Sequence, residues 1–357
     1  MAKIISFFSH KGGVGKTTTV FSLGWTMAEK GKRVLLVDFD PQCNLTGLTL
    51  GYKGVEDLEK FYKNDPANNI KDALAPAFES QPKAIVGAEC IQIDQQKNLY
   101  ILPGHIDMAQ YESTLNLAQQ LGPELIVLKN IPGSLKFMID RTAEKYAIDY
   151  VLVDLNPSLG PMNMNLLMAS DYFIVPLQPD YFSAMAIRSL ARIMPLWKKW
   201  SIHAGNSRIL NEANYPFYQS HVQFAGAVIQ RFEMRDGRPA AAFNLWFDQL
   251  KKSLKEVFVP SLIASDMLNE SIYLQATGQE PDLPIMEAKD FKSLMALSHD
   301  RNVPVFALPE EALGSGVVKD GQEGRMSEYR EIYSNFADKV FSMSSLSDSV
   351  IRSVNAA

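Results

Sequence analysis

KIISFFSHKGGVGKTTTVFSLGWTMAEKGKRVLLVDFDPQ, residues 3–42, decides the fold. Its first part, Lys3–Ser9 (KIISFFS), is short, apolar and β-branched at its start, which reads as a buried strand. A glycine-rich loop follows, then a helical stretch from about Lys16 to Lys30. Gly31 stops that helix, because glycine accepts the left-handed backbone just past a last turn. Arg33–Val37 (RVLLV) is a second apolar strand and ends in Asp38. Strand, helix and strand in so short a span form a βαβ unit. That predicts a parallel sheet with helices on its faces.

Outward from this unit, further strands are expected at Leu99–Leu102, Tyr150–Val153, Tyr172–Pro176, Ala225–Gln230 and Val303–Leu308. Helices are expected over 107–147, broken around Gly122-Pro123 and Pro132-Gly133. They are also expected over Tyr181–Trp200, with Pro195 ending or kinking the helix, and over Arg238–Phe258. Residues 51–97 read as short helices and loops, and 309–327 as a loop. Glu328–Phe341 is an amphipathic helix with Tyr329, Ile332, Tyr333, Phe336 and Val340 on one stripe, followed by a frayed Ser-rich end from Ser342. Residues 1–308 are thus expected to form one domain, with variable segments at about 51–97 and 200–222. Residues 309–357 add a loop, a helix and a tail.

The chain has 357 residues, with 35 Lys+Arg against 40 Asp+Glu, a net charge of −5. That excludes coating nucleic acid with the whole surface; such binding needs a local patch. Cys43 and Cys90 are the only cysteines, so a disulfide scaffold or a four-cysteine metal site within one chain is excluded. No segment offers about 18 uninterrupted apolar residues, and the start lacks a cleavable leader pattern, so a cytoplasmic protein without a membrane span is expected.

Lys11-Gly12-Gly13-Val14-Gly15-Lys16-Thr17-Thr18 carries the chemistry. Its glycines let backbone amides turn inward around an anion, and the helix behind adds its positive end. Lys16 can reach β- and γ-phosphates, and the Thr17 hydroxyl can bind Mg²⁺. The general pattern has a glycine where this chain has Lys11 or Gly12, depending on register, so a second lysine opens the loop. Asp38 closes the strand beside the loop, where a carboxylate can hold the hydration shell of Mg²⁺. Asp154 ends the apolar strand YVLV and is its natural metal-holding partner. Without the phosphate loop, Asp38 and Asp40 would be ordinary solvated strand-end carboxylates or helix caps.

KGGVGKTT (11–18) resembles the deviant Walker A motif of the ParA/MinD superfamily of dimerising ATPases. VLLVDFDPQCNLTGL (34–48) resembles the ParA branch. DYVLVDLNPSLGPMNMNLLMASDYFIVPLQPDYFSA (149–184) resembles its switch II region, and NLYILPGHIDMAQYE (98–112) its middle strand and helix. Together they cover most of residues 1–190. The resemblance implies an α/β phosphate-loop NTPase, a mostly parallel twisted sheet with helices on both faces. It implies ATP and Mg²⁺ as cofactors, slow hydrolysis stimulated by a partner, and a homodimer sandwiching ATP. Lys11 would cross the dimer to the partner's phosphates, a positive charge acting in trans. Asp40 would position the attacking water. Asn156 stands where the family usually has proline, which implies a less rigid switch II backbone.

Residues 181–211 contain no Asp or Glu but do contain Arg188, Arg192, Lys198, Lys199 and Arg208, with Trp197 and Trp200 among them. A second cluster, Arg231, Arg235 and Arg238, is diluted by Glu233 and Asp236. Two readings stay open: a patch for the DNA backbone, or a partly solvated helix with its tryptophans in the core. Only ten residues precede the loop, so sequence-specific operator binding is not expected. The family's Ile-Pro-Arg element is missing from 259–308, and Gln230 and Arg231 are the expected base-side residues.

The leading expectation is an ATPase that segregates or positions plasmid or chromosomal DNA, nucleoid-associated and working with a ParB-like partner. Plasmid, chromosome and protein-complex cargo stay open, as does a specialised role such as defence. A MinD-like membrane switch needs a basic amphipathic C-terminal helix, and SMSSLSDSVIRSVNAA has one basic residue, Arg352. An iron–sulfur reductase ATPase lacks its cysteines, and an exporter autokinase lacks its tyrosine cluster.

Overall fold

Near-continuous apolar runs can be buried on both faces only in a parallel sheet with helices on either side. The structure, a computed structural model, describes the chain except residues 66–67, 122–124, 233, 236–237, 240, 291–292 and 356–357. In order, its strands are β1 Lys3–Phe7, β2 Val34–Asp38, β3 Ile91–Gln92, β4 Leu99–Leu102, β5 Tyr150–Asp154, β6 Tyr172–Leu177, β7 Gln223–Phe232, β8 Met234–Arg235, β9 Arg238–Pro239 and β10 Met286–Lys289. The helices are α1 Lys16–Glu29, α2 Asn44–Leu50, α3 Val55–Asn64, α4 Ile70–Phe78, α5 Ala109–Leu121, α6 Ile131–Lys145 and α7 Pro161–Ala169. They continue as α8 Tyr181–Gly205, α9 Arg208–Asn211, α10 Ala241–Ser253, α11 Val259–Ala264, α12 Glu270–Thr277, α13 Ser293–Arg301 and α14 Val317–Asn355.

Among the described residues, eight strands form one sheet in the order β10-β7-β6-β1-β5-β2-β4-β3. All its pairings are parallel except that of β3 on β4. Asp38 and Asp154 lie side by side at the ends of β2 and β5, and β1 enters its glycine loop beside them. This is the carboxyl edge of the sheet, where open α/β folds bind ligands. Phe7, Leu36, Leu152 and Ile174 are fully buried in the core.

Several expectations need correcting. Residues 303–308 form no strand; Val305–Ala307 is a short 3₁₀ turn whose N-cap is Pro304. The last strand is instead β10, which pairs with β7. Pro132 sits in the first turn of α6, where its missing N–H is harmless, rather than breaking a helix. The Gly122-Pro123 break lies outside the described residues. α8 does not end at Pro195 but continues to Gly205; the proline's lost N–H would orphan the Ala191 carbonyl, and Ser261 Oγ of α11 donates to that carbonyl instead. Arg238–Pro239 is strand β9, paired antiparallel with β8, and the helix α10 starts only at Ala241; a π turn, Leu254–Phe258, joins α10 to α11 just ahead of Pro260. α14 begins at Val317, inside the expected loop, and continues past Ser342 to Asn355. Its Tyr329, Tyr333, Phe336 and Val340 are buried, as the stripe predicted.

Candidate functional site

The phosphate loop joins β1 to α1 along Phe8–Gly15. Gly13 and Gly15 have φ of +75° and +82°, the left-handed region where a side chain is strained. Gly15 is restricted by space as well: a Cβ there would lie 2.8 Å from Gln230 Cδ. The loop forms one wall of a cavity of about 1080 Å³, which extends past Asp40 to Tyr52, Arg231 and His299.

Lys16 is buried, and its ammonium pairs with the Asp154 carboxylate. Thr17 Oγ1 donates to the other Asp154 oxygen at 2.7 Å. Burial raises the Asp154 pKa, while Lys16 and Thr17 oppose the rise. Asp38 accepts from Thr46 N at 2.8 Å and Thr46 Oγ1 at 2.7 Å, and its other oxygen accepts from Asp40 N at 3.2 Å. Burial first, and Asp154 beside it second, push the Asp38 carboxyl up to about 7 against those donors. Asp40 lines the cavity, and its carboxylate accepts from Gln42 N at 3.0 Å. Three aspartates thus gather where anions are expensive, an excess of negative charge that a cation relieves. A hydroxyl and a carboxylate in contact, Thr17 and Asp154, suit Mg²⁺, which takes one or two protein ligands and fills its shell with phosphate oxygens and water. Asp38 spends its oxygens on Thr46 and Asp40 N, so it lies behind that pair.

Lys11 also lines the cavity. Its ammonium donates to Gln178 Oε1 at 3.2 Å and pairs with Asp180, two residues the sequence reading did not single out. The expected base-side pair divides. Gln230 is buried, with Nε2 donating to Thr19 Oγ1 at 2.8 Å, and braces α1 rather than facing the cavity. Arg231 reaches the cavity in a left-handed conformation, φ +62°, and donates to the Gly13 carbonyl at 2.6 Å. Tyr52 and His299 were also missed; neither belongs to a local motif.

Switch II is better tied than Asn156 suggested. Asn163 Nδ2, buried in α7, donates to the Asn156 carbonyl, its side-chain oxygen and the Ser158 carbonyl at 2.7–2.9 Å.

On α8, Arg188, Arg192 and Lys199 are exposed. Lys198 is not: it is 3% exposed and donates to the Ser220 carbonyl at 2.7 Å, which removes it from the expected DNA patch. Burial also lowers its pKa. Trp197 is buried with its ring 5.7 Å from that of Phe8, and Trp200 donates to the Gln119 carbonyl at 3.0 Å, so both are structural. Among the described residues no helix is long and apolar enough to cross a membrane.

The model of an AAA-domain family matches residues 2–203. The chain is 33% identical to the sporulation initiation inhibitor protein Soj of Bacillus subtilis over 200 residues, covering 56% of this chain and 67% of that one. It is 30% identical to the chromosome-partitioning ATPase Soj of Treponema pallidum over 232 residues, covering 65% and 78%. It spans 62% of the length of a Methanocaldococcus jannaschii relative and half of a Mycobacterium tuberculosis one. Its fold resembles that of pNOB8 ParA bound to nonspecific DNA, at 19% identity and a TM-score of 0.55, covering 97% and 99% of the two chains.

Proposed function

The chain belongs to this AAA-domain family and to its ParA/MinD-type partition ATPases, and from that footing we propose that it hydrolyses ATP slowly to drive a dimer cycle that positions DNA. The observation that carries the reading is the loop itself. Two lysines, Lys11 and Lys16, line one cavity beside the joined Thr17 and Asp154, which supports a phosphate-binding reading.

Each residue then has one task. The amides of Gly12, Gly13, Val14 and Gly15, with Thr18 at the helix start, hold phosphate oxygens. Lys16 leaves Asp154 for the β- and γ-phosphates, where negative charge is denser. Thr17 and Asp154, with Asp38 behind them, would hold Mg²⁺, which when bound would supply positive charge beside the phosphate oxygens. Asp40 lines the cavity and orients the attacking water; phosphoryl transfer needs position and charge more than a strong base. Lys11 reaches the partner's phosphates, so nucleotide cements the dimer.

Arg188, Arg192 and Lys199 face outward on α8 and would meet DNA phosphates. Dimerisation doubles that patch, which makes binding depend on nucleotide. A ParB-like protein would stimulate turnover, and the nucleoid would be the working surface. The pNOB8 ParA structure, solved with nonspecific DNA, supports this choice of cargo surface over a membrane.

The test is DNA binding by fluorescence anisotropy, with and without ATP, on two unrelated duplexes. Binding is expected only with ATP and with equal affinity for both sequences, because phosphates carry no base information. No binding with ATP at low salt would move the weight to a protein cargo.

A further inference from the structure

Lys11 has a prepared seat within its own chain. Its ammonium meets Gln178 Oε1 and Asp180 Oδ2. The pair is shielded, with 17% of the Lys11 side chain and 30% of the Asp180 side chain exposed. Both acceptors are fixed independently of Lys11. Asp180 Oδ1 accepts from Ser183 N at 2.8 Å and caps α8. The backbone N–H of Gln178 donates to Ser183 Oγ at 3.1 Å, and its side-chain Nε2 to the Arg231 carbonyl at 3.5 Å. Gln178 therefore keeps its place without Lys11, and so does Asp180.

We propose that Asp180 is a positioning residue that holds Lys11 in its own chain, and that this ion pair opposes ATP-dependent dimerisation. The inference rests on the trans role given to Lys11 above. One ammonium cannot sit between Gln178 and Asp180 and also reach phosphates bound by another copy. Apparent affinity then falls by the fraction of chains whose lysine is free. A two-fold dimer uses both lysines, so the effect enters twice. Partly exposed ion pairs are weak, about threefold in an equilibrium (~0.65 kcal/mol). Releasing both lysines should therefore tighten the dimer by about threefold squared, roughly tenfold.

The charge can be removed without removing the cap. Asparagine and serine both cap helices well, so Asp180→Asn and Asp180→Ser keep an oxygen for Ser183 N while freeing Lys11. A role in helix stability alone would leave the dimer unchanged or weaker in both variants; the latch predicts a tighter one.

The measurement is sedimentation equilibrium of the full chain with Mg²⁺ and a saturating non-hydrolysable ATP analogue. The expected result is a dimer dissociation constant about tenfold lower for Asp180→Asn and Asp180→Ser than for wild type. The gain should vanish with Lys11→Ala: the Lys11→Ala/Asp180→Asn double variant should dimerise no better than Lys11→Ala. Unchanged or weaker dimerisation in both neutral-cap variants, with Lys11→Ala unable to dimerise, would overturn the latch and leave the trans lysine standing. Lys11→Ala dimerising like wild type would remove both.

Discussion

The loop end of the sheet and the outer face of α8 meet at Asp180, and they hold charge in opposite ways. At the loop Lys16, Asp38 and Asp154 are buried and bonded: Lys16 and Thr17 share Asp154, and Thr46 donates twice to Asp38. On α8, Arg188, Arg192 and Lys199 stand exposed. The proposed tasks would account for the difference. A phosphoryl group must be held within fractions of an ångström, whereas a DNA backbone asks only for positive charge at roughly the right density. A single change should therefore be severe at the loop and graded on the helix. Lys198 and Lys199 are neighbours in sequence, yet only Lys199 belongs to the exposed face.

The largest effect is expected for Lys16→Ala. Losing one preorganised donor at a developing charge lowers rates by about 10²–10³-fold. ATP affinity and hydrolysis should both collapse, read by nucleotide titration and phosphate release. ATP affinity within about threefold of wild type, ~0.65 kcal/mol, would break the site assignment.

On the helix the effect should be smaller and salt-dependent. For Arg188→Glu/Arg192→Glu, the slope of log affinity against log salt should fall by about 0.9 for each duplex phosphate that is no longer neutralised. Lys199→Ala should remove up to one such step, whereas Lys198→Met should leave the slope alone and act on stability. Equal DNA binding by wild type and the charge-reversed double variant would show that these arginines serve another partner.

The smallest effect is a pH dependence of stability in protein free of nucleotide and metal. The folded pKa of Asp38, about 7, lies above its ordinary 3.8. Its contribution is then fully present below the unfolded value and is lost as pH rises through the folded one. Tm should fall between pH 5 and pH 7, and Asp38→Asn should flatten that fall, with Asp154, shifted the same way, leaving a residue of it. An unchanged pH profile in Asp38→Asn would show that the carboxyl is not the group responsible.

Much of the loop end was legible because its information is local. The glycine loop, the apolar strands and their terminal aspartates all fall within short stretches of chain. The rest depended on residues that meet in space but lie far apart in sequence. Lys198 reads as a basic surface residue until Ser220, 22 positions on, accepts its ammonium. Asp180 stands out only because Lys11, 169 positions back, packs against it. β10 escaped because MEAK has only two buried side chains and joins the sheet at its edge, whereas the more apolar VPVFAL packs as a turn against α14. Hydrophobicity marked burial there but not the element.

The central claim is that nucleotide binding and nucleotide turnover are separable and that ATP holds the dimer together. Sedimentation of Asp40→Ala with ATP and Mg²⁺ tests it most directly. The expected result is a dimer that persists with little phosphate release, because the proposed phosphate cradle, Lys11 and the proposed metal-holding pair stay intact while the proposed water-orienting carboxylate is gone. A variant that stays monomeric in saturating ATP, or that hydrolyses at the wild-type rate, would contradict it.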